Sequence, residues 1–530
     1  LFKASSHSSQ PSIFNPQFLT ASWIALATAL LFISHPLQTQ AVTYIVQRFA
    51  SLAALFYLLA VVCYLKWRLD SSEDRSRYLW YAGALLSTIL AMKTKENSFT
   101  LPLMLLLIEF VFFRPIRGKE WASLIPFLLT LPLIPLSYPG AIDAAEAGLA
   151  QETTEISRGD YLFTQFRVIV TYIRLLFLPI NQNLDYDHPI YHSLFASPVF
   201  FSFLFLLFLF GLSLYLLSYS RRFSPNSQTL NFQLIAFGLL WFFLTLSVES
   251  SIIPIRDVIF EHRLYLPSAG FFLACIIGIQ GALEILKTRF HYHLFFAFII
   301  VISLSFATYQ RNGIWKDEVT LWQDVVQKAP NKARGRNNLG LAYKNMGRLE
   351  EAIQEYQTAL QLKPDYADAH YNIGNAYRDQ GRLEEAIREY QIAFERQPNF
   401  AKAHNNLGVV YSNQGRLEEA IQEYQAAIRL QPDYAEVYNN LGIAYSDQGH
   451  LEKAIRAYQT ALQLQPDYAE AHNNLGVIYG NQGQTEEAVR EFQMALQLQP
   501  DHVKAHYNLG LAYESKGMLQ AARSEFEQAL

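Results

Sequence analysis

The chain divides into two halves by the pattern of its apolar and polar positions. Residues 1–308 carry long runs rich in Phe, Leu, Ile and Tyr. Residues 309–530 are largely polar, with apolar residues recurring at helical spacing. Long apolar runs match the hydrocarbon core of a bilayer, and helical spacing is typical of amphipathic helices. The pattern predicts a polytopic membrane domain at 1–308, followed by a second, helical domain.

Apolar runs in the first half are long enough, or nearly so, to cross roughly 30 Å of hydrocarbon. They cover residues 18–34, 49–65, 78–92, 98–113, 121–137, 194–219, 231–248, 264–286 and 292–308. A shorter run at 166–179 contains Arg167 and Arg174, and we interpret it as re-entrant or interfacial because buried charge is costly there. We therefore expect about nine spanning helices and a large outer loop at 138–193.

The second half repeats with a constant period. A proline recurs every 34 residues, at Pro330, Pro364, Pro398, Pro432, Pro466 and Pro500. Two glycines and an alanine–aromatic pair keep the same register, as in Gly340, Gly347, and Ala352 with Tyr356. The first glycine predicts close packing of two helices, and the second predicts a positive φ in the turn between them.

This period is typical of tetratricopeptide repeats, each of which has two antiparallel helices and stacks on its neighbours. After a connecting helix at 309–330 we predict six repeats, the last one incomplete. They cover 331–364, 365–398, 399–432, 433–466, 467–500 and 501–530. The predicted fold class is all-α: a polytopic transmembrane helical domain followed by a tetratricopeptide-repeat superhelical solenoid.

An asparagine recurs just before the Leu-Gly or Ile-Gly pair of every repeat. The six are Asn338, Asn372, Asn406, Asn440, Asn474 and Asn508. A carboxamide both donates and accepts hydrogen bonds, so a ladder on the concave face predicts binding of an extended polypeptide backbone. The array resembles the repeat domain of the nucleocytoplasmic O-linked N-acetylglucosamine transferase, where such a ladder binds substrate polypeptide. The alternative is that these asparagines bond between neighbouring helices.

Charge narrows the classes of partner. Residues 331–530 contain 19 Lys and Arg against 26 Asp and Glu, a net charge of −7, which argues against nucleic acid. A second periodic set, His370, His404, His472 and His506, lies in different repeats, so we expect no metal site there. Cys63 and Cys275 fall inside apolar runs and are predicted to be buried thiols.

Lys and Arg in the loops predict the orientation of the membrane domain. One side holds 12 of them and the other holds 8, if the 166–179 run does not cross. The richer side includes Lys66, Arg68, Arg75, Arg77, Arg221 and Arg222. That side is predicted to be cytoplasmic, which places the repeats outside the cytoplasm.

Four polar clusters fall on the predicted outer side. They are His35 with Arg48; Lys93, Lys95 and Glu96; Asp185 with Asp187; and Glu261, His262 and Arg263. Ionisable groups at membrane depth usually mark a site. Simpler explanations remain open: the lysines snorkel at a helix end, His35 ends a helix before Pro36, and the aspartates form a solvated turn. Three adjacent polar residues at 261–263 are the hardest to explain in this way.

Several segments resemble a known family. They are "HPLQTQAVTYIVQRFASLAALFYLLAV" (35–61), "AMKTKENSFTLPLMLLLIE" (91–109), "LDYDHP" (184–189), "EHRLYLPSAGFF" (261–272) and "RNGIWKDEVTLWQDVVQKAPNKARGRNNLG" (311–340). They resemble bacterial relatives of the transmembrane and tetratricopeptide-repeat-containing protein O-mannosyltransferases, within the C-type glycosyltransferase superfamily. The resemblance covers nearly the whole chain.

The resemblance implies a sugar donor linked to polyprenyl phosphate, used at the outer face of a membrane, here expected to be a bacterial plasma membrane. Cations hold phosphate groups, and the polar clusters named above are the donor-site candidates, with Arg48, Lys93, Lys95 and Arg263 supplying the charge. The family carries its catalytic acid in the first outer loop. We expect that motif upstream of residue 1, in a chain shortened at both ends, so no catalytic residue is assigned.

The leading hypothesis is a membrane glycosyltransferase that O-glycosylates polypeptides presented by its extracytoplasmic repeats. The alternative is a non-enzymatic, membrane-anchored scaffold, a common role of such arrays. A transporter is disfavoured because no pair of broken helices recurs at matching positions. The sequence contains no nucleotide-binding G-x-G-x-x-G or P-loop motif, and it leaves open the sugar, the acceptor and the need for a divalent metal.

Overall fold

A computed structural model describes residues 16–43, 48–70, 75–113, 118–133, 156–223, 226–248, 250, 257–286 and 290–530. The chain forms two compact units, Leu1–Ala329 and Pro330–Leu530. Regular structure in both units is helical throughout the ranges just given. The all-α prediction is therefore confirmed.

The first unit contains twelve α-helices and two short 3₁₀ helices within its described part. The α-helices are α1 (Pro16–Ser34), α2 (Gln38–Thr43), α3 (Arg48–Leu69), α4 (Arg75–Thr94), α5 (Leu101–Phe112), α6 (Gly118–Leu128), α7 (Arg158–Phe177), α8 (Ser197–Ser220), α9 (Ser227–Leu246), α10 (Tyr265–Ile285), α11 (Phe290–Ile314) and α12 (Glu318–Lys328). The 3₁₀ helices are Glu96–Thr100 and Glu261–Leu264.

Four helices among the described residues are long and apolar enough to cross a membrane. They are Phe49–Leu69, Ser197–Ser220, Ser227–Leu246 and Glu261–Leu283. Two shorter apolar helices, Ser22–Ser34 and Asn97–Phe112, accompany them. Each predicted run is at least partly helical, but the count of about nine crossings stays a prediction.

Two helices differ from the sequence prediction. The run expected at 166–179 belongs to α7, which starts at Arg158 because Ser157 Oγ accepts a hydrogen bond from the Asp160 N–H. This N-cap supplies the start signal that the apolar pattern lacks. The connecting helix expected at 309–330 is divided between α11 and α12, and Asp317 caps the start of α12 through the Thr320 N–H.

The repeat unit consists of six helix pairs. Their helices are α13 (Ala333–Asn345), α14 (Leu349–Leu362), α15 (Ala367–Asp379), α16 (Leu383–Arg396), α17 (Ala401–Asn413), α18 (Leu417–Leu430), α19 (Ala435–Asp447), α20 (Leu451–Leu464), α21 (Ala469–Asn481), α22 (Thr485–Leu498), α23 (Val503–Ser515) and α24 (Leu519–Gln528). The first helices of successive repeats contact one another. They therefore line the tighter, inner side of the stack.

Glycine permits the packing within each repeat. A Cβ added to Gly408 would lie 2.6 Å from Cε1 of Tyr424, and the other first-helix glycines meet the equivalent rings in the same way. The turn glycine Gly415 has φ +73°, and its counterparts have similar values. Both roles predicted from the register of the glycines are confirmed.

Candidate functional site

A small cavity of about 20 Å³ forms where three separate parts of the first unit meet beside Thr245, near the end of α9. The start of α3 supplies Ala50, Ala53, Ala54 and Tyr57; the turn after α4 supplies Lys95, Asn97 and Ser98; and the start of α10 and its preceding turn supply His262, Arg263 and Tyr265. Lys95 and Arg263 are thus brought to one cavity although 168 positions separate them in the sequence.

Lys95 reaches the cavity because the backbone changes direction there. The residue takes an extended conformation, with φ −159° and ψ 144°, between the end of α4 and the Glu96–Thr100 helix. Its carbonyl accepts a hydrogen bond from the Ser98 N–H at 3.1 Å. Pro102 then stands in the first turn of α5, where its missing N–H costs nothing.

Arg263 is held by main-chain oxygens. Its guanidinium donates to the carbonyls of Asp257 at 2.9 Å and Val258 at 3.2 Å. Only 5% of the residue is exposed, and its side chain lies over the ring of Phe260. A buried guanidinium stays charged, so it contributes positive charge to the cavity.

Glu261 does not line this cavity but forms the centre of a hydrogen-bond network. Its carboxylate accepts from the Tyr186 hydroxyl at 2.6 Å, the Asn183 N–H at 2.8 Å and Gln182 Nε2 at 3.0 Å. The residue is 1% exposed. All three donors belong to the segment after α7. Glu261 therefore links that segment to the turn that carries His262 and Arg263.

The same network continues to the last helix of the first unit. Lys328 Nζ donates to the Gln182 carbonyl at 2.7 Å and lies 2.6 Å from the Asp324 carboxylate. Arg311 pairs with Asp324 at 2.8 Å. The sequence analysis missed these groups because the bond from Lys328 to Gln182 spans 146 positions and each group looks like an ordinary surface charge.

The segment after α1 braces the turn at 261–263 from the other side. Gln40 Oε1 accepts a hydrogen bond from the His262 N–H at 3.0 Å. His35 Nδ1 faces the Leu37 N–H at 3.2 Å and Nε2 faces the Leu176 carbonyl at 3.1 Å. These partners require a neutral ring with its proton on Nε2. Burial lowers the pKa of His35 to about 4, against a smaller opposite effect of the Leu176 carbonyl.

The other candidates are more scattered. Lys93 is exposed, and so is Asp187, whereas Asp185 is buried. The side chains of Arg48 and Glu96 lie outside the described part of the chain. The structure therefore gathers Lys95, His262 and Arg263 around one cavity. Glu261 supports the turn that carries His262 and Arg263, whereas His35 bonds to Leu176 near the end of α7.

The asparagines of the predicted ladder bond between repeats. The Nδ2 groups of Asn372, Asn440, Asn474 and Asn508 donate to an asparagine Oδ1 of the preceding repeat, over 2.9 to 3.1 Å. Asn406 donates to Asn375 Oδ1 at 2.7 Å and to the Tyr371 hydroxyl at 3.0 Å. This is the alternative that the sequence left open. Since these side chains remain half-buried, their binding of polypeptide stays a prediction.

The periodic histidines also have partners within the array. His370, His404, His472 and His506 each place Nδ1 2.6 to 2.7 Å from a glutamate nineteen residues later, on the second helix of the same repeat. In the fourth repeat Tyr438 replaces the histidine and Ala457 replaces the glutamate. Both members change together, which indicates that the pair is one structural unit.

The repeat half of the chain is similar to known repeat proteins, and a longer stretch of the chain is similar to a second group of proteins. The family model described as Cilia and flagella-associated protein 70 C-terminal domain matches residues 315–530. The crystal structure of MamA is similar to the repeats, with 31% identity, a TM-score of 0.28, and coverage of 30% of this chain and 92% of that one.

A protein O-mannosyl-transferase of Caenorhabditis elegans is 25% identical over 337 residues, covering 62% of this chain and 44% of that protein. The chain is similar to protein O-mannosyl-transferases. Human protein O-mannosyl-transferase TMTC3 is 26% identical over 372 residues, with coverage of 62% and 38%. The chain spans less than half the length of these protein O-mannosyl-transferases.

Proposed function

We propose that this chain belongs to a membrane glycosyltransferase of the protein O-mannosyl-transferase type. In this proposal the first unit binds a sugar linked to polyprenyl phosphate at the extracytoplasmic face of a bacterial plasma membrane. The repeats hold the acceptor polypeptide on the same side. The main support for this proposal is that Lys95 and Arg263, two cations from separate segments, line the same cavity.

The side chains around the cavity suit a phosphate group, which would contact them from the opening because the enclosed space of about 20 Å³ holds roughly one water. Arginine offers a planar set of donors and lysine a compact positive charge, the two side chains proteins most often use for phosphate. His262 adds a polar side chain to the same wall. Tyr57 and the start of α10 supply the apolar side, which fits the junction between a headgroup and a hydrocarbon chain.

The hydrogen-bond network behind the cavity supports a positioning role for Glu261. A carboxylate that accepts three hydrogen bonds and is almost fully buried is poorly placed to take a proton from an acceptor hydroxyl. Instead it fixes the turn on which Arg263 stands. The proposal therefore assigns Glu261 to the support of the donor site and assigns no catalytic base.

Binding of undecaprenyl phosphate to the full chain in nanodiscs tests the proposal. We expect Lys95→Ala to weaken binding about tenfold, since one charge-assisted contact contributes roughly 1.5 kcal/mol. Arg263→Ala is expected to weaken it further. The control is Arg174→Ala, because Arg174 is exposed on α7 and does not line the cavity.

Unchanged affinity in both cavity variants would exclude the cavity as the donor site. Arg263 also stabilises the turn on which it stands, so its alanine variant can unfold. In that case the result for Lys95→Ala alone decides the test. A wild-type chain that binds partner polypeptides but shows no affinity for the lipid phosphate would instead favour the non-enzymatic scaffold.

A further inference from the structure

Cations lie over aromatic rings at the ends of several helices far from the cavity. Lys66 Nζ lies 4.1 Å from the centre of the Trp80 ring, and the Arg77 guanidinium lies 5.7 Å from the Trp67 ring. Arg68 lies 4.7 Å from Phe113, and Arg221 lies 4.2 Å from Phe110. We call Lys66, Arg68, Arg77 and Arg221 the cationic belt.

Hydrogen bonds show that the members of the belt share one end of the helix bundle. Arg68 Nε donates to Glu109 Oε1 at 2.9 Å, which ties the end of α3 to the end of α5. Arg221 donates to the Phe110 carbonyl at 3.0 Å, which brings the end of α8 to the same place. Arg77 stands in the first turn of α4 and donates to the Trp67 carbonyl. Four helix ends thus converge.

The belt and the cavity lie at opposite ends of α3. Ala50 lines the cavity and Arg68 belongs to the belt. Eighteen residues at 1.5 Å each separate them by roughly 27 Å, close to the hydrocarbon thickness of a bilayer. Between them, Leu55, Leu59 and Val62 are exposed. The helix has the length and the apolar surface to place its two ends at opposite membrane surfaces.

We propose that the cationic belt binds the headgroups of acidic phospholipids. Lysine and arginine attract the negative surface of such a leaflet, and the tryptophans beside them favour the interface between headgroups and hydrocarbon. Rings beside the cations hold the charges in place. Lys66 is exposed and the other three are half-buried, and Arg68 is paired with the buried Glu109 carboxylate. Exposed Arg75 and Arg222 add positive charge at the same helix ends. This inference rests on the proposed membrane location of the first unit.

A purely structural reading makes a different prediction. Lys66 and Arg68 stand in the last turn of α3, where a cation also interacts favourably with the helix dipole. If that were their whole role, the lipid headgroup next to Trp67 and Trp80 would not matter. The two readings differ in whether acidic lipids concentrate at these two tryptophans.

Fluorescence quenching by brominated lipids measures that concentration. The full chain is reconstituted into phosphatidylcholine vesicles containing one-tenth brominated phosphatidylglycerol or one-tenth brominated phosphatidylcholine. The signal of Trp67 and Trp80 is obtained by subtracting the Trp67→Phe/Trp80→Phe variant. We expect the acidic lipid to quench these tryptophans at least twofold more than the zwitterionic lipid.

The matched variants remove two charges each. Lys66→Gln/Arg77→Gln should lower the preference for the acidic lipid, since Arg68, Arg221, Arg75 and Arg222 remain. Arg158→Gln/Arg167→Gln on α7 should keep it, because both arginines lie outside the belt. Equal quenching by the two lipids in the wild-type chain would overturn the proposal, and so would an undiminished preference in the belt variant.

Flotation of the same vesicles separates this inference from the membrane proposal. A chain that does not float with pure phosphatidylcholine vesicles contradicts the membrane location, and the belt proposal fails with it. A chain that floats with them but shows no preference for acidic lipid contradicts the belt alone.

Discussion

The hydroxyl of Tyr186 donates a hydrogen bond of 2.6 Å to the carboxylate of Glu261. Burial, followed by the negative charge of Glu261, raises the pKa of Tyr186 well above its ordinary value, so the phenol stays a donor at any physiological pH. The pair joins the loop after α7 to the turn before α10. That turn carries His262 and Arg263, so the geometry of the cavity depends on a contact outside it.

Replacing Glu261 with alanine is expected to destabilise the first unit by about 3 kcal/mol, because three buried donors lose their acceptor. Thermal unfolding in detergent measures the change. Asp187→Ala, at an exposed carboxylate two residues beyond Asp185, should stay within about 0.5 kcal/mol of wild type. Equal effects of the two variants would contradict the role of Glu261.

Two glycines in the repeats should respond to alanine in opposite directions. Gly408→Ala is expected to cost about 1 to 3 kcal/mol, since its Cβ would meet the Tyr424 ring at 2.6 Å. Gly480→Ala, whose Cβ would have Ala488 Cβ at 3.8 Å as its nearest neighbour, should gain about 0.5 to 1 kcal/mol from helix propensity. Urea unfolding of both variants checks the difference in sign.

Asn405 and Asn440 separate the two roles of the asparagine ladder. Asn440 Nδ2 donates to Asn405 Oδ1 at 3.1 Å, so alanine at either position removes the same bond, and each variant should lose about 1 kcal/mol of stability. Asn405 is buried, whereas Asn440 is half-buried, so of the two only Asn440 has surface that a bound peptide could contact. We expect only Asn440→Ala to weaken peptide binding, measured by fluorescence anisotropy. Equal peptide affinity of the two variants would show that the asparagines serve only to join neighbouring repeats.

His506 makes the stability of the last repeat depend on pH. Burial lowers its pKa, but the Glu525 carboxylate and the Pro500 carbonyl raise it more, so the net pKa lies above 6.5. A raised pKa stabilises the fold fully below pH 6.5, and this contribution is lost as pH rises through the folded-state pKa.

The stability difference between wild type and His506→Gln should therefore be larger at pH 6 than at pH 9, which thermal unfolding at both values measures. Tyr507→Phe, at the adjacent exposed tyrosine, serves as the control and should show the same small effect at both pH values. A His506→Gln difference that does not change with pH would disprove the charged pair.

The fourth repeat offers the reverse test. Tyr438 and Ala457 occupy the positions of the histidine–glutamate pair. Tyr438→His and Ala457→Glu together should be more stable than the sum of the two single changes, by about 0.5 to 1 kcal/mol. A double-mutant cycle at pH 6 measures this coupling. Additive effects would show that the two positions do not interact.

The sequence predicted the repeats well because each constraint is local and recurs. A glycine such as Gly408 and an aromatic such as Tyr424 stand at fixed spacing, and both are explained by one contact. The polar clusters of the first unit were recognised, but their arrangement was not. Lys95 and Arg263 share a cavity while Glu261 stands behind it, and no local pattern distinguishes these outcomes.

Partners that lie far apart in the chain explain what was missed. Gln182 and Lys328 belong to the network of Glu261 through bonds that span more than seventy positions. For the asparagine ladder, a carboxamide can serve either function, and the resemblance to the O-linked N-acetylglucosamine transferase favoured peptide binding. Only the positions of Asn405 and Asn439 in the preceding repeats reveal that the amide nitrogens are already occupied.

The bonds between successive asparagines have a consequence for cooperativity. Every repeat from the second onward completes the hydrogen bonding of a side chain in the repeat before it. Opening one repeat therefore exposes an unsatisfied group on its neighbour, which raises the nearest-neighbour energy relative to the energy of a single repeat. We therefore expect the array to unfold cooperatively, as a block. Tension applied at one end is then resisted by the whole stack, even across the fourth repeat, where the internal pair is missing.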